Sequence, residues 1–437
     1  MHGIESEFSH ITTGAVTAAL LIFIGVYALI ISEKVHRTVI ALFGGAIMII
    51  VGIFLGFYEQ DKAIAAVDFN TIGLLIGMMI VVSITKTTGL FQYIAIKAAK
   101  FAKGKPWRIM VMFAIITAVF SALLDNVTTV LLMVPMALVI CDNLKIKPYP
   151  FFFVIILTSN IGGTATLIGD PPNIIIGSAA GLSFSDFLLN LAPISAIIFI
   201  ATVPLFWLLY RKAIKTNKRY MDKIMHLKEK DSIKDKTLLI KSLAVLGIVI
   251  VGFFLHGFLH LDGATIALFG AGLLLLLDFR NLEKVLQEIE WTTIFFFIGL
   301  FVLVGGLEQV GVIHYGASKL LELTGGNLTT TALAIMWGGG IFSAFVDNIP
   351  FVATMVPLVQ SMSPVFSDLN PLWWSLALGA CLGGNGTLVG ASANLVVAGM
   401  AEKSGYKIKF VEFMKVGLLV AAISLVFSTA YVLIRYV

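Results

Sequence analysis

Hydrophobic positions in this chain fall in long runs, many of them near the ~20 residues a helix needs to cross a bilayer. Dividing the runs predicts ten crossings, at about 11–32, 38–57, 71–91, 151–180, 191–210, 237–259, 263–279, 292–310, 372–399 and 411–434. The first is too long and uninterrupted for a signal peptide and reads as a retained span. Two further segments, 107–141 and 329–361, each hold an Asp-Asn pair between two helical arms of roughly 15 residues. That pattern suits a hairpin that enters the membrane and returns on the same side, a form that survives only when buried in protein or lining a wet cavity.

The polar interruptions repeat. Phe120-Ser-Ala-Leu-Leu-Asp125-Asn126 returns 222 positions later as Phe342-Ser-Ala-Phe-Val-Asp347-Asn348, and each copy runs on to Met-Val-Pro. At the same offset Asp68-Phe-Asn-Thr71 pairs with Glu290-Trp-Thr-Thr293. Five crossings per half is an odd number, so the second half must be inserted upside down relative to the first. Counting each hairpin as two spans leaves that parity unchanged. The expected fold is therefore an all-α polytopic membrane protein of about ten transmembrane helices plus two re-entrant hairpins, in two inverted-topology repeats. The first repeat covers 1–210 and the second 237–437, joined by a basic linker at 211–236. Interrupted helices meeting near the midplane of such repeats are the architecture of secondary transporters.

Two crossings must be broken. Ser159-Asn160-Ile-Gly162-Gly163-Thr164-Ala-Thr166-Leu-Ile-Gly169-Asp170-Pro171-Pro172-Asn173 places glycines, adjacent prolines and an acid inside an apolar span. Pro removes backbone donors and Gly permits unusual dihedrals, so backbone groups here are free to face a ligand. The second copy, Gly383-Gly384-Asn385-Gly386-Thr387 to Asn394, keeps the glycines, Thr387 and Asn394 but lacks the acid and both prolines. The halves are related in fold and unequal in chemistry.

Charge orients the chain. Only 13% of residues are charged against 59% hydrophobic, and ten Lys and Arg lie in 211–236, which puts that linker in the cytoplasm. Lys34 and Arg37, the lysines at 97–105, Lys145 and Lys147, Arg280 and Lys284, and Lys403 to Lys409 then fall inside as well. The Glu59-Gln-Asp61 loop and an N-terminus with Glu5 and Glu7 fall outside, leaving both termini external. The basic residues follow topology and do not suggest nucleic acid. Cys141 and Cys381 form no disulfide or zinc pattern.

A carboxylate deep in a bilayer costs at least ~2.5–3.5 kcal/mol by insertion scales, so an acid repeated there points to a bound ligand. Asp125, Asp347 and Asp170 are candidates for proton uptake and release. Asn126, Thr128, Asn160, Thr164, Thr166, Asn173, Asn348, Asn385, Thr387 and Asn394, with backbone freed near Gly162, Gly163, Gly383 and Gly384, offer oxygens that suit a hard cation. Sodium could sit at Asp125, Asn126, Asp347 and Asn348, or the helix N-termini at the tips could hold an anion. Each feature also has a plainer reading. Asp at a helix break can be an N-cap, Asp170 before two prolines can start a helix, and the glycines can serve close helix packing. Lys86 can snorkel to the surface. His256 and His260, at i, i+4 spacing, lack the Glu of a zinc protease.

The Asp-Asn hairpins together with Gly-Gly-Thr-Ala-Thr-Leu-Ile-Gly-Asp-Pro-Pro-Asn closely resemble the ion transporter superfamily, in the branch with the melanosomal P protein, arsenite permeases and NhaD-type sodium/proton antiporters. The related divalent anion/sodium symporters carry Ser-Asn-Thr at the hairpin tips, where this chain has Asp125-Asn126-Val127 and Asp347-Asn348-Ile349. The resemblance implies an integral protein of a prokaryotic inner membrane, working as a homodimer without a cofactor. The resulting expectation is an ion-coupled transporter working by alternating access, not an enzyme, exchanging sodium or lithium for protons at intramembrane aspartates, with Asp125 and Asp347 as the titrating groups. Proton- or sodium-coupled transport of arsenite, chloride, citrate or a dicarboxylate is the alternative. An intramembrane aspartyl protease is a remoter one, since Leu167-Ile-Gly-Asp170 lacks the first glycine of the Gly-x-Gly-Asp motif.

Overall fold

The computed structural model describes residues 12–32, 34–278 and 282–437. Glu5, Glu7, position 11 and Arg280 lie outside the described residues. Among those described there is helix and irregular chain but no strand. The first half comprises α1 (Thr13–Ser32), α2 (Arg37–Leu55), the short α3 (Gln60–Ala65), α4 (Phe69–Thr87), α5 (Leu90–Phe101), α6 (Pro106–Leu123), α7 (Asn126–Leu144), α8 (Tyr149–Gly163), α9 (Pro171–Ala180) and α10 (Phe184–Tyr210). The linker holds α11 (Lys218–Met225). The second half follows with α12 (Lys236–Leu259), α13 (Gly263–Leu277), α14 (Leu282–Gln287), α15 (Trp291–Gln309), α16 (Val312–Leu323), α17 (Leu328–Phe345), α18 (Asn348–Gln360), α19 (Asn370–Gly383), α20 (Ser392–Lys403) and α21 (Phe410–Arg435).

Ten of the described helices are long and apolar enough to cross a membrane. The number matches the expectation, but the set does not. Three hairpin arms, α6, α7 and α17, belong to it. The crossings at 151–180 and 372–399 do not, because each is divided by its break, and α13 has only 15 residues. The arms are 18, 19, 18 and 13 residues long instead of about 15 each. The break explains the difference: it takes only Leu124 and Asp125, or Val346 and Asp347, and the flanking chain stays helical. Large apolar side chains such as Phe43, Phe54, Phe258, Leu276 and Ile434 are exposed on the outer faces. A surface of this kind is stable in lipid and not in water.

Small residues set the helix contacts, as in other membrane bundles. α2 packs on α15 and α4 on α13, so the halves exchange helices reciprocally. A Cβ built on Gly77 would lie 2.5 Å from the Ala267 carbonyl carbon, and one on its repeat equivalent Gly299 would lie 2.5 Å from that of Ala41. In a second group the first arm of each hairpin lies along a broken helix, α6 on α8 and α17 on α19. There a Cβ on Gly162 would come within 2.2 Å of the Ala118 oxygen, and one on Gly383 within 2.4 Å of the Gly340 oxygen. These contacts hold both hairpin tips beside both breaks.

The linker is strapped to the first half. The Lys234 amide donates to the Thr88 carbonyl at 2.9 Å, and Thr216 Oγ1 donates to the Leu144 carbonyl at 2.5 Å. Lys100 Nζ reaches Glu229 Oε2 at 2.7 Å and holds that carboxyl below its usual pKa range. Ile224 of α11 is fully buried.

Gly77→Ala is expected to lower the thermal stability of the detergent-solubilised protein, since overpacking of this kind costs about 1–3 kcal/mol. Gly25→Ala, where nothing lies within 4 Å of the added carbon, should leave the melting temperature unchanged in the same assay.

Candidate functional site

Local rules put the acids at the breaks. Asp125 has an extended backbone before α7, and its Oδ1 accepts from the Thr128 amide at 2.6 Å. Asp347 plays the same part before α18, accepting from the Ile349 amide at 3.1 Å. Capping is therefore real at both tips. Asp170 is different. Its backbone is extended, as expected before proline, yet its side chain makes no capping bond. The carboxylate instead meets Asn348 Nδ2 of the other half at 3.3 and 3.4 Å.

Most of the expected oxygen donors are engaged in holding the breaks together. Ser121 Oγ donates to the Ser159 carbonyl at 2.6 Å, and its equivalent Ser343 donates to that of Ala380 at 2.6 Å. Thr166 and Thr387 donate to the Ala122 and Ala344 carbonyls, at 2.5 Å each. Thr164 Oγ1 donates to the Asn160 carbonyl within its own turn. Asn173 Nδ2 answers the carbonyls of Gly163, Thr164 and Thr166, while Asn394 Nδ2 answers those of Gly384 and Thr387, at 2.8 Å each. The breaks close on themselves at Gly163–Gly169 and Gly384–Gly390, where any Cβ would meet backbone within 3.0 Å. Thr164, Thr166, Asn173, Thr387 and Asn394 thus act as struts.

The struts also fix the direction of a chain of amides. Because Asn394 Nδ2 is committed to carbonyls, its Oδ1 must accept, and Asn160 Nδ2 donates to it at 3.0 Å and to Asn385 Oδ1 at 2.9 Å. Asn160 Oδ1 is then the acceptor for Asn126 Nδ2 at 3.3 Å. Asn126 is 2% exposed, and its own Oδ1 is left with no hydrogen-bond partner. The residue lines a cavity of about 20 Å3 together with Asp125, Asp170, Glu290, Thr293 and Asn348. That is room for one water-sized occupant, beside an acceptor that lacks a donor.

A cavity of about 400 Å3 adjoins this one, sharing Val127, Glu290, Thr293 and Ser392 with it, and is lined also by His36, Arg37 and Asp347. Sequence reasoning missed three residues here. Arg37, expected in a surface loop, begins α2 and forms an ion pair with Asp347. Ser392 Oγ donates to the same carboxylate at 2.8 Å. Glu290, half-noticed as the counterpart of Asp68, lines both cavities and a third of about 60 Å3 that includes Thr128 and Lys86. Only the matched spacing of Asp68 and Glu290 offered a signal. Lys86 pairs with Glu288 at 2.6 Å, so it reaches a partner and not open solvent alone. His260 is the left-handed C-cap of α12. Among the described residues no three His, Cys, Asp or Glu side chains converge on one metal position.

Comparison with known proteins agrees with the architecture. The family model described as citrate transporter matches residues 27–379. An uncharacterized transporter of Mycobacterium tuberculosis is 43% identical over 424 residues, covering 96% of this chain and 98% of that protein. The P protein of Homo sapiens is 35% identical over 503 residues, 97% of this chain and 60% of its own length, which bears out the resemblance to the P protein branch. Among solved structures, the Alcanivorax borkumensis YdaH transporter, whose structure is described as having an unusual topology, superposes with a TM-score of 0.59 at 14% identity. It covers 91% of this chain and 98% of that one, which supports the fold.

Asn160→Ala strands acceptors on Asn385 and Asn394, and each orphaned buried group costs about 1–3 kcal/mol. The variant is expected to unfold at clearly lower temperature than wild type, whereas Asn143→Ala, at an exposed helix position, should not.

Proposed function

Since the chain belongs to the citrate transporter family and is an integral membrane transporter by that membership, we propose that it exchanges sodium or lithium for protons by alternating access. The observation that carries this reading is the polarity of the site. Asp125, Asp170, Asp347 and Glu290 face the joined cavities, against the single guanidinium of Arg37 and the imidazole of His36. Four carboxylates repel an anion and attract a cation or proton. The unpartnered Oδ1 of Asn126 adds a neutral oxygen of the kind a hard cation takes. Asp125 and Asp170 serve as the exchanging groups, each able to hold either ion but not both at once, and that competition couples the two fluxes.

The cavities supply the two routes. One end of α15 lines the 400 Å3 cavity through Glu290, Thr292 and Thr293. Its other end lines a recess of about 200 Å3 through Val304, Gly305 and Glu308, with Asp68 and Gln360 beside it. In this reading the larger cavity, next to the basic start of α2, opens to the cytoplasm, and the recess opens outside. The 211–236 linker then lies in the cytoplasm with both termini external, in a prokaryotic inner membrane. A homodimer is part of the same proposal through the family resemblance.

One observation favours a second reading: the matched family is described by citrate, and Arg37 could grip a carboxylate. Purified protein in liposomes with an internal pH dye separates the two. Sodium or lithium should collapse an imposed pH gradient, while citrate, arsenite and chloride should not. Asp125→Asn and Asp170→Asn should each reduce the cation-driven signal by about tenfold or more, equivalent to at least ~1.4 kcal/mol of lost ion stabilisation. A signal driven by citrate but by neither cation would replace the cation reading with the anion one.

A further inference from the structure

The two hairpin acids share the Phe-Ser-Ala stretch before them and the Asn after them, and are unequal in surroundings. Asp347 Oδ2 is paired with Arg37 Nη1 and accepts from Ser392 Oγ at 2.8 Å, while Oδ1 accepts from the Ile349 amide at 3.1 Å. The guanidinium that reaches it lies over the Phe296 ring, 4.9 Å from the centroid. Both come from one packed pair, α2 against α15, fixed by the approach of Gly45 to Gly299. The pair is largely desolvated, with the Arg37 and Asp347 side chains 24% and 6% exposed. Asp125 keeps its own capping bond, from the Thr128 amide at 2.6 Å, but has no counterpart of the guanidinium. At the offset of 222 that relates the hairpins, the position of Arg37 is taken by Leu259, and at the offset of 221 that relates the two breaks, that of Ser392 is taken by Pro171. No Lys, Arg or His pairs with Asp125 or Asp170 among the described residues.

We propose that Arg37 is a built-in cation that fills the carboxylate of the second hairpin, so that ion exchange is confined to Asp125 and Asp170. The inference deepens the cation/proton reading and rests on it. A tethered cation competes at high effective concentration with any free one, and a planar guanidinium stacked on an aromatic ring is well suited to a buried pair. Sodium entering from the large cavity therefore meets an occupied Asp347 and passes to the smaller cavity behind it. One half-site is mobile and the other is fixed. The same pairing uses up the cavity's guanidinium, which weakens its capture of an anion.

Carbodiimide labelling of the purified full-length protein, read by peptide mass spectrometry, tests this without any transport assay. In wild type, Asp125 or Asp170 should be modified and Asp347 spared. Arg37→Gln should open Asp347 to modification, and Arg37→Lys should keep it protected. Labelling of Asp347 in wild type to the same extent as Asp125 overturns the proposal, as does an Asp347 that stays unlabelled in Arg37→Gln. The wild-type comparison stands even if the variants do not fold. Sodium added during labelling reports separately on the exchange reading: failure to shield Asp125 would count against sodium there, while the protection of Asp347 is read from the same sample without reference to sodium.

Discussion

Within a bilayer no water waits to satisfy a freed backbone group, so every amide and carbonyl released by a broken helix has to be answered by the protein itself. This one requirement organises the centre of the molecule. It explains why Ser121 and Ser343, Thr166 and Thr387, and Asn173 and Asn394 recur as pairs making the same bonds in the two halves. It also explains the glycines at 162 and 383, since hydroxyl and carbonyl can meet across two helices only if no side chain keeps them apart. The breaks are braced by these paired side-chain bonds, and a braced break can present a carboxylate at a defined place.

The two copies differ at the centre of the proposed site. Asn160 in the first break corresponds to Cys381 in the second, and each donates to the asparagine oxygen of the opposite half, Asn394 and Asn173. A thiol has no amide oxygen to offer in return. Asn126 therefore spends its Nδ2 on Asn160, whereas Asn348 turns its Nδ2 to Asp170, an acid that the second half replaces with Ala391. Two substitutions in an otherwise repeated scaffold concentrate the unpaired acidity and the unmatched oxygen on one side of the site.

Much of this was readable in the sequence, for local reasons. Acid inside an apolar run, glycine and proline inside a span, and a motif recurring at a fixed offset are signals carried by neighbouring residues, and they located the helix interruptions and the three aspartates that stand at them. The hairpin arms came out too short because a polar pair was read as a wide turn. What stayed hidden depends on distant contact. Arg37 lies 310 positions from Asp347, and a basic residue after an apolar run looks like an orientation signal whatever its side chain touches. The sequence likewise counts the oxygens of Thr164, Thr166, Asn173 and Asn394 as ligands, without revealing that backbone groups already claim the atoms beside them.

The strap formed by the linker matters for biogenesis. Its bonds run to Thr88, Lys100 and Leu144, all earlier in the chain, so they need nothing that has yet to be synthesised. A nascent chain paused after residue 236 already contains both sides of that fastening. The second half then begins from an anchored end. Its orientation is biased by where the first half has tied it down as well as by its own charges.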